Sequence, residues 1–248
     1  MTTGQVNGGA PAVASGQVLS VRGLSGGYGA LRVIHDVNLE LPQSSVCALL
    51  GRNGVGKTTL LRTLSGLLRP HGGKISFRGT DVTNMSPQAR SELGLCSIPE
   101  GRAVFKDLTV EQNIRLFAPA SMKGEAHERA YSIFPKLGDR RRHLASQMSG
   151  GEQQMLALAR AFLVNPSAVL VDEPSFGLAP KAIEVVFDAL GVLASNGTSI
   201  LLVEQYVERA LAFAHDVYVM DKGELVYAGE GRHLTAAEVT SRYFGAES

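Results

Sequence analysis

An α/β fold, a parallel sheet covered by helices on both faces, follows from two features of this 248-residue chain. Four unbroken apolar runs, VCALL (46–50), LCSI (95–98), AVLV (168–171) and SILLV (199–203), have the length and β-branched content of strands buried on both faces. Segments of helical period lie between them, so strands and helices alternate as a doubly wound sheet requires.

In chain order, residues 1–17 (MTTGQVNGGAPAVASGQ) are rich in Gly, Ala, Ser and Thr and are expected to form a disordered tail. From Val18 to residue 248 no linker or internal repeat intervenes, so the rest is expected to be one domain. The run ending at Leu50 passes directly into GRNGVGKTTLL, a glycine-rich loop followed by a helical TTLLRTLSGLL. In EQQMLALARAFLV, Met155, Leu158, Ala159, Phe162 and Leu163 share one stripe of a helix, and KAIEVVFDALGVLAS has a helical period too. DVYVMDKGELVYAG reads as a hairpin turning at Asp221-Lys222-Gly223-Glu224, where Gly223 tolerates a positive φ.

Composition narrows the roles. Hydrophobic residues make up 44% and charged residues 19%, as in globular proteins, and a net charge of +1 provides no broad field for nucleic acid or anionic lipid. No window approaches the roughly 18 apolar residues of a membrane span, and no secretory signal is expected at the N-terminus. Any membrane role is therefore expected to be peripheral. Cys47 and Cys96 sit far apart in apolar stretches and read as core thiols in a reducing compartment.

The chemistry starts at the loop. Gly51, Gly56, Lys57 and Thr58 match G-x-x-x-x-G-K-[ST] between a strand and a helix. Glycines let successive N–H groups curl into an anion nest, and the following helix points its positive end at phosphates. Lys57 supplies a cation, and the Thr58 hydroxyl is a hard ligand for Mg²⁺. Asn53, Gly54 and Thr59 complete the expected nucleotide-binding stretch. A second helix start follows at Ser149-Gly150-Gly151-Glu152, where Ser149 and Glu152 have the spacing of a capping box. Further on, AVLVDEP ends a strand on two carboxylates, Asp172 and Glu173.

A phosphate loop, then S-G-G-E-Q, then a hydrophobic strand ending in D-E together resemble the ABC-type ATPases, from about Val18 to the end of the chain. The resemblance implies a P-loop NTPase parallel-sheet core, an antiparallel β subdomain, and an inserted α-helical subdomain over about residues 100–150. It implies ATP and Mg²⁺ as ligands, with Thr58, Glu100 and Asp172 on the metal and Glu173 as general base. Tyr28, 23 residues before Gly51, corresponds to the family's adenine-stacking aromatic. Ser149, Gly150, Gly151 and Glu152 would act on ATP held by a partner cassette.

Three positions depart from the common pattern. Glu100 stands where many members have Gln; the alternative reading is a turn residue paired with Arg102. Ala179 replaces a usual Asp. Gln205, 32 residues after Glu173, replaces a switch His. A Gln can donate to a γ-phosphate and accept from water but cannot carry charge. His215 lies past the next helix and reads as a helix-end residue instead. IPEGRAVFKDLTVEQNI, DEPSFGLAP and LLVEQ are together similar to the second ATPase subunit of branched-chain amino acid importers; the urea importer ATPase is the alternative. The resemblance implies a second, non-identical ATPase partner (or a second copy), two membrane permeases, an external solute-binding protein reached indirectly, and a peripheral place on the cytoplasmic face of the inner membrane. Val104, Phe105 and Leu108 are the expected permease contact, with core packing as an equal alternative. A ribosome- or DNA-directed cassette is not expected, since the 49 residues from Glu100 to Ser149 leave no room for a coiled-coil insert. A weakly hydrolysing regulatory subunit is the third reading, suggested by Gln205 and Ala179.

Overall fold

The computed structural model describes residues 16–122 and 124–241. Two long strands, β1 (Gln17–Tyr28) and β2 (Leu31–Pro42), lead into β3 (Val46–Leu50) and helix α1 (Lys57–Leu64). Next come β4 (Pro70–Phe77), β5 (Thr80–Asp81), α2 (Pro87–Glu92) and β6 (Leu95–Ile98). Helices α3 (Val110–Phe117), α4 (Ala126–Ile133), α5 (Pro135–Asp139) and α6 (Gly150–Val164) follow. The chain continues through β7 (Ala168–Asp172), α7 (Pro180–Ser195), β8 (Ser199–Val203), α8 (Val207–Phe213), β9 (Asp216–Asp221), β10 (Glu224–Glu230) and α9 (Ala236–Val239).

Six strands form the sheet β10-β9-β3-β8-β7-β6, parallel except for β10. The apolar runs are buried on both faces because alternate residues serve different cores. Val169, Val171, Ile200 and Leu202 pack with α3–α7, while Ala168, Leu170, Leu201 and Val203 pack with α1 and the second sheet. That second sheet is antiparallel, in the order β2-β1-β4-β5. Exposed and half-buried residues interrupt the buried ones in its strands, so no unbroken apolar run marks them in the sequence.

Several boundaries differ from expectation. Most of the expected tail, residues 1–15, lies outside the described residues, and Gln17 already pairs with Pro42. Helix α1 stops at Leu64 rather than Leu68. Helix α6 is buried well beyond its expected stripe, with Leu156, Ala157 and Ala161 covered as well, because it lies between the sheet and its neighbouring helices. The hairpin turns where expected, with Lys222 at φ 44° and Gly223 at φ 84°. A Cβ on Gly223 would lie 2.1 Å from the Val33 carbonyl oxygen, so close approach to β2 also demands glycine there. The parallel strands bring Leu50, Ile98, Asp172 and Val203 to one edge, and the candidate site forms there.

Candidate functional site

The loop after β3 is shaped by contact as well as by conformation. A Cβ on Gly51 would sit 2.6 Å from the Met220 carbonyl oxygen, and Gly56 turns into α1 at φ 115°. Helix α1 starts with no side-chain cap and no acidic residue in its first turn, which leaves its first N–H groups available to an anion. Lys57, almost fully buried, donates from Nζ to the carbonyl oxygens of Gly51 at 2.8 Å and Arg52 at 3.1 Å. The same ammonium lies 3.5 Å from Glu173 Oε1.

Around this loop opens a cavity of about 280 Å³. Asn53, Gly54, Gly56, Lys57, Thr58, Thr59, Glu100 and Glu173 line it, so residues from three separate stretches of sequence meet there. Val33 and Phe176 also line it, which sequence reasoning missed. Val33 carries no signal in the sequence. Phe176 stands three residues after Glu173 and is 57% exposed, an unusual position for a bulky apolar side chain.

The carboxylates divide the electrostatic work. Asp172 is buried, and burial pushes its pKa up to about 6, helped by Glu173 and Glu100 and opposed by the Thr58 hydroxyl and Lys57. Its Oδ1 is buried and has no hydrogen-bond partner. Glu173 sits at φ 45°, a left-handed conformation uncommon for a non-glycine residue, with its N–H donating to the Val203 carbonyl oxygen at 2.9 Å. An orphaned carboxylate oxygen beside a threonine hydroxyl fits a hard divalent cation. Among the described residues no three His, Cys, Asp or Glu side chains close into a metal cluster by themselves. Glu100 is exposed at the rim, and Arg102 does not pair with it. Instead, Arg102 Nη1 donates to Gln153 Oε1 at 3.0 Å, which removes the turn-pair alternative.

Other expected residues stand outside the cavity. Tyr28, at the end of β1, is 44% exposed, and its hydroxyl accepts from Arg62 Nη1 at 3.1 Å. Gln205 is exposed just beyond β8 and reaches the same sheet edge as Glu173, because Val203 pairs with Asp172. It does not line the cavity. The start of α6 is also separate. Ser149 Oγ accepts from Glu152 N at 3.3 Å and Glu152 Oε2 from Ser149 N at 2.9 Å, a complete capping box. A Cβ on Gly150 would lie 2.8 Å from Arg102 Nη2, and one on Gly151 would lie 2.6 Å from Ala182 Cβ, so intramolecular packing is a second reason for these glycines. Ala179 occupies the N-cap of α7 without a capping side chain. His215 follows α8, and its Nδ1 accepts from Val46 N at 3.2 Å, at the opposite end of β3 from the loop.

Comparison with known proteins agrees with this geometry. The family model described as ABC transporter matches residues 34–176. The chain is 36% identical over 232 residues to the high-affinity branched-chain amino acid transport ATP-binding protein BraG of Pseudomonas aeruginosa, covering 92% of this chain and all of that protein. It is also 36% identical to the probable branched-chain amino acid transport ATP-binding protein LivF of Archaeoglobus fulgidus, over 87% of this chain and 93% of that one. Among solved structures, the ATP-binding cassette MJ1267 shares the fold, with a TM-score of 0.78 at 24% identity over 92% of this chain and 97% of that one. The chain belongs to the ABC transporter family of ATP-binding proteins.

Proposed function

We propose that this chain hydrolyses ATP to energise an importer of branched-chain amino acids. The observation that carries this reading is its similarity to BraG along that protein's full length. The cavity supports it chemically. ATP would lay its phosphates along the loop, where Lys57 and the first N–H groups of α1 face them. Phosphate oxygens would then compete with Glu173 for the Lys57 ammonium. That competition would release the Glu173 carboxylate to orient the attacking water and accept its proton. Thr58 and Asp172, with Glu100 at the rim, would hold Mg²⁺, which neutralises charge on the phosphates. Tyr28 would stack on adenine, and Gln205 would position the γ-phosphate or the water.

Ser149, Gly150, Gly151 and Glu152 would serve the ATP of a partner cassette, either a second, related ATPase or another copy of this chain. Two permeases, fed by a solute-binding protein, would dock on the helices between residues 100 and 150. Of the three expected contact residues only Phe105 is exposed, at 51%; Val104 packs against the core and Leu108 is half-buried. No helix among the described residues is long and apolar enough to cross a membrane, and a peripheral place on the cytoplasmic face of the inner membrane suits this role. ATP turnover by the assembled transporter tests the solute. Binding protein loaded with leucine should stimulate turnover severalfold and urea should not. Stimulation by urea alone would overturn the assignment.

A further inference from the structure

Glu204 is almost entirely buried, at 1% exposure, at the end of β8. Among the described residues no cation lies within 4.0 Å of its carboxylate. Main-chain N–H groups from two segments hold it, with the Ser175 hydroxyl beside it. Oε1 accepts from Ser175 N at 3.3 Å, and Oε2 accepts from Gln205 N at 3.1 Å. Ser175 lies two residues beyond Glu173. One carboxylate therefore ties the turn carrying the expected base to the turn carrying the expected γ-phosphate contact.

Stability does not account for a glutamate here. A carboxylate buried without a cation is costly, and a neutral side chain of the same shape would avoid that cost. What a carboxylate uniquely supplies is two strong acceptors, one for each segment. Glu204 N also approaches the Leu49 carbonyl oxygen at 3.4 Å, which ties the residue to the strand that feeds the phosphate loop.

We propose that Glu204 is a positioning residue that sets the spacing between Glu173 and Gln205 in ATP hydrolysis. The proposal rests on the ATPase reading above. Glu204→Gln keeps the shape but turns an NH₂ group toward one of the N–H donors, which loosens one of the two segments. Misplacement by about 1 Å can cost as much as 100-fold in rate. In the assembled transporter, Glu204→Gln should lower kcat roughly 10- to 100-fold while ATP affinity and the thermal midpoint hold. Glu204→Asp, which keeps the charge but withdraws it by one methylene, should lower kcat in the same direction and serves if the Gln variant does not fold. Combined with Gln205→Ala, Glu204→Gln should cost little more than the worse single change, because both act on one arrangement. Multiplicative losses, unchanged kcat, or a fall in ATP affinity parallel to a fall in melting temperature would overturn the proposal. Glu173→Gln is the control. If it leaves turnover intact, the ATPase reading itself fails; if it abolishes turnover while Glu204→Gln is neutral, only the role of Glu204 fails.

Discussion

Glu173 holds a left-handed backbone conformation that costs a non-glycine residue on the order of 1–3 kcal/mol. Its neighbour Asp172 is buried with an unsatisfied oxygen, and Lys57 is a buried ammonium. Such costs concentrate where a ligand's charge offsets them. The buried cysteines, Cys47 in β3 and Cys96 in β6, are core residues within strands. Burial pushes Cys47 up to about 12 and Cys96 up to about 11. At pH 8 their thiolate fractions are then about 10⁻⁴ and 10⁻³, against about 10⁻¹ for a thiol of pKa 9. Both should resist iodoacetamide in the folded chain and react once it is denatured. The sign of the linkage follows: the unfolded chain releases these protons first, so stability is full below about pH 9 and falls as pH rises toward 12. Rapid native labelling at pH 8, read by mass spectrometry, would contradict their core placement.

Helix α1 has only eight residues, too short to be stable alone, so tertiary contacts must hold the helix that presents its N-terminus to the cavity. Arg90, 1% exposed, does much of this. Its guanidinium donates to the carbonyl oxygens of Thr63 at 2.8 Å, Leu64 at 2.5 Å, Thr83 at 3.0 Å and Met85 at 3.3 Å. A cation at the negative end of α1 also opposes the helix dipole. Arg90→Ala should destabilise the chain by about 2–5 kcal/mol and lower the thermal midpoint by roughly 4–20 °C; an unchanged melt would refute this. Nothing in the sequence marks Arg90, because four carbonyl oxygens gathered from two segments form a tertiary feature. The parallel strands were legible because burial on both faces leaves unbroken apolar runs. β1, β2 and β4 were not, because exposed residues interrupt their apolar ones and their pairings carry irregular register.

In the whole molecule, the start of α6 stands apart from the cavity around Lys57, so one chain does not bring the starts of α1 and α6 together. A head-to-tail pair of cassettes would bring them together, as the proposed function requires. The loop, the D-E pair and the capped α6 start were readable in the sequence because each packs its chemistry into a few consecutive residues. Val33, Phe176 and the role of Glu204 were not, because they depend on which strand ends meet and where side chains point. The central claim is that this chain's own site hydrolyses ATP with Glu173 as base, and ATP turnover by the assembled complex carrying Glu173→Gln in this chain alone tests it most directly. Turnover should fall at least 100-fold while ATP remains bound; turnover at the wild-type rate would contradict the claim.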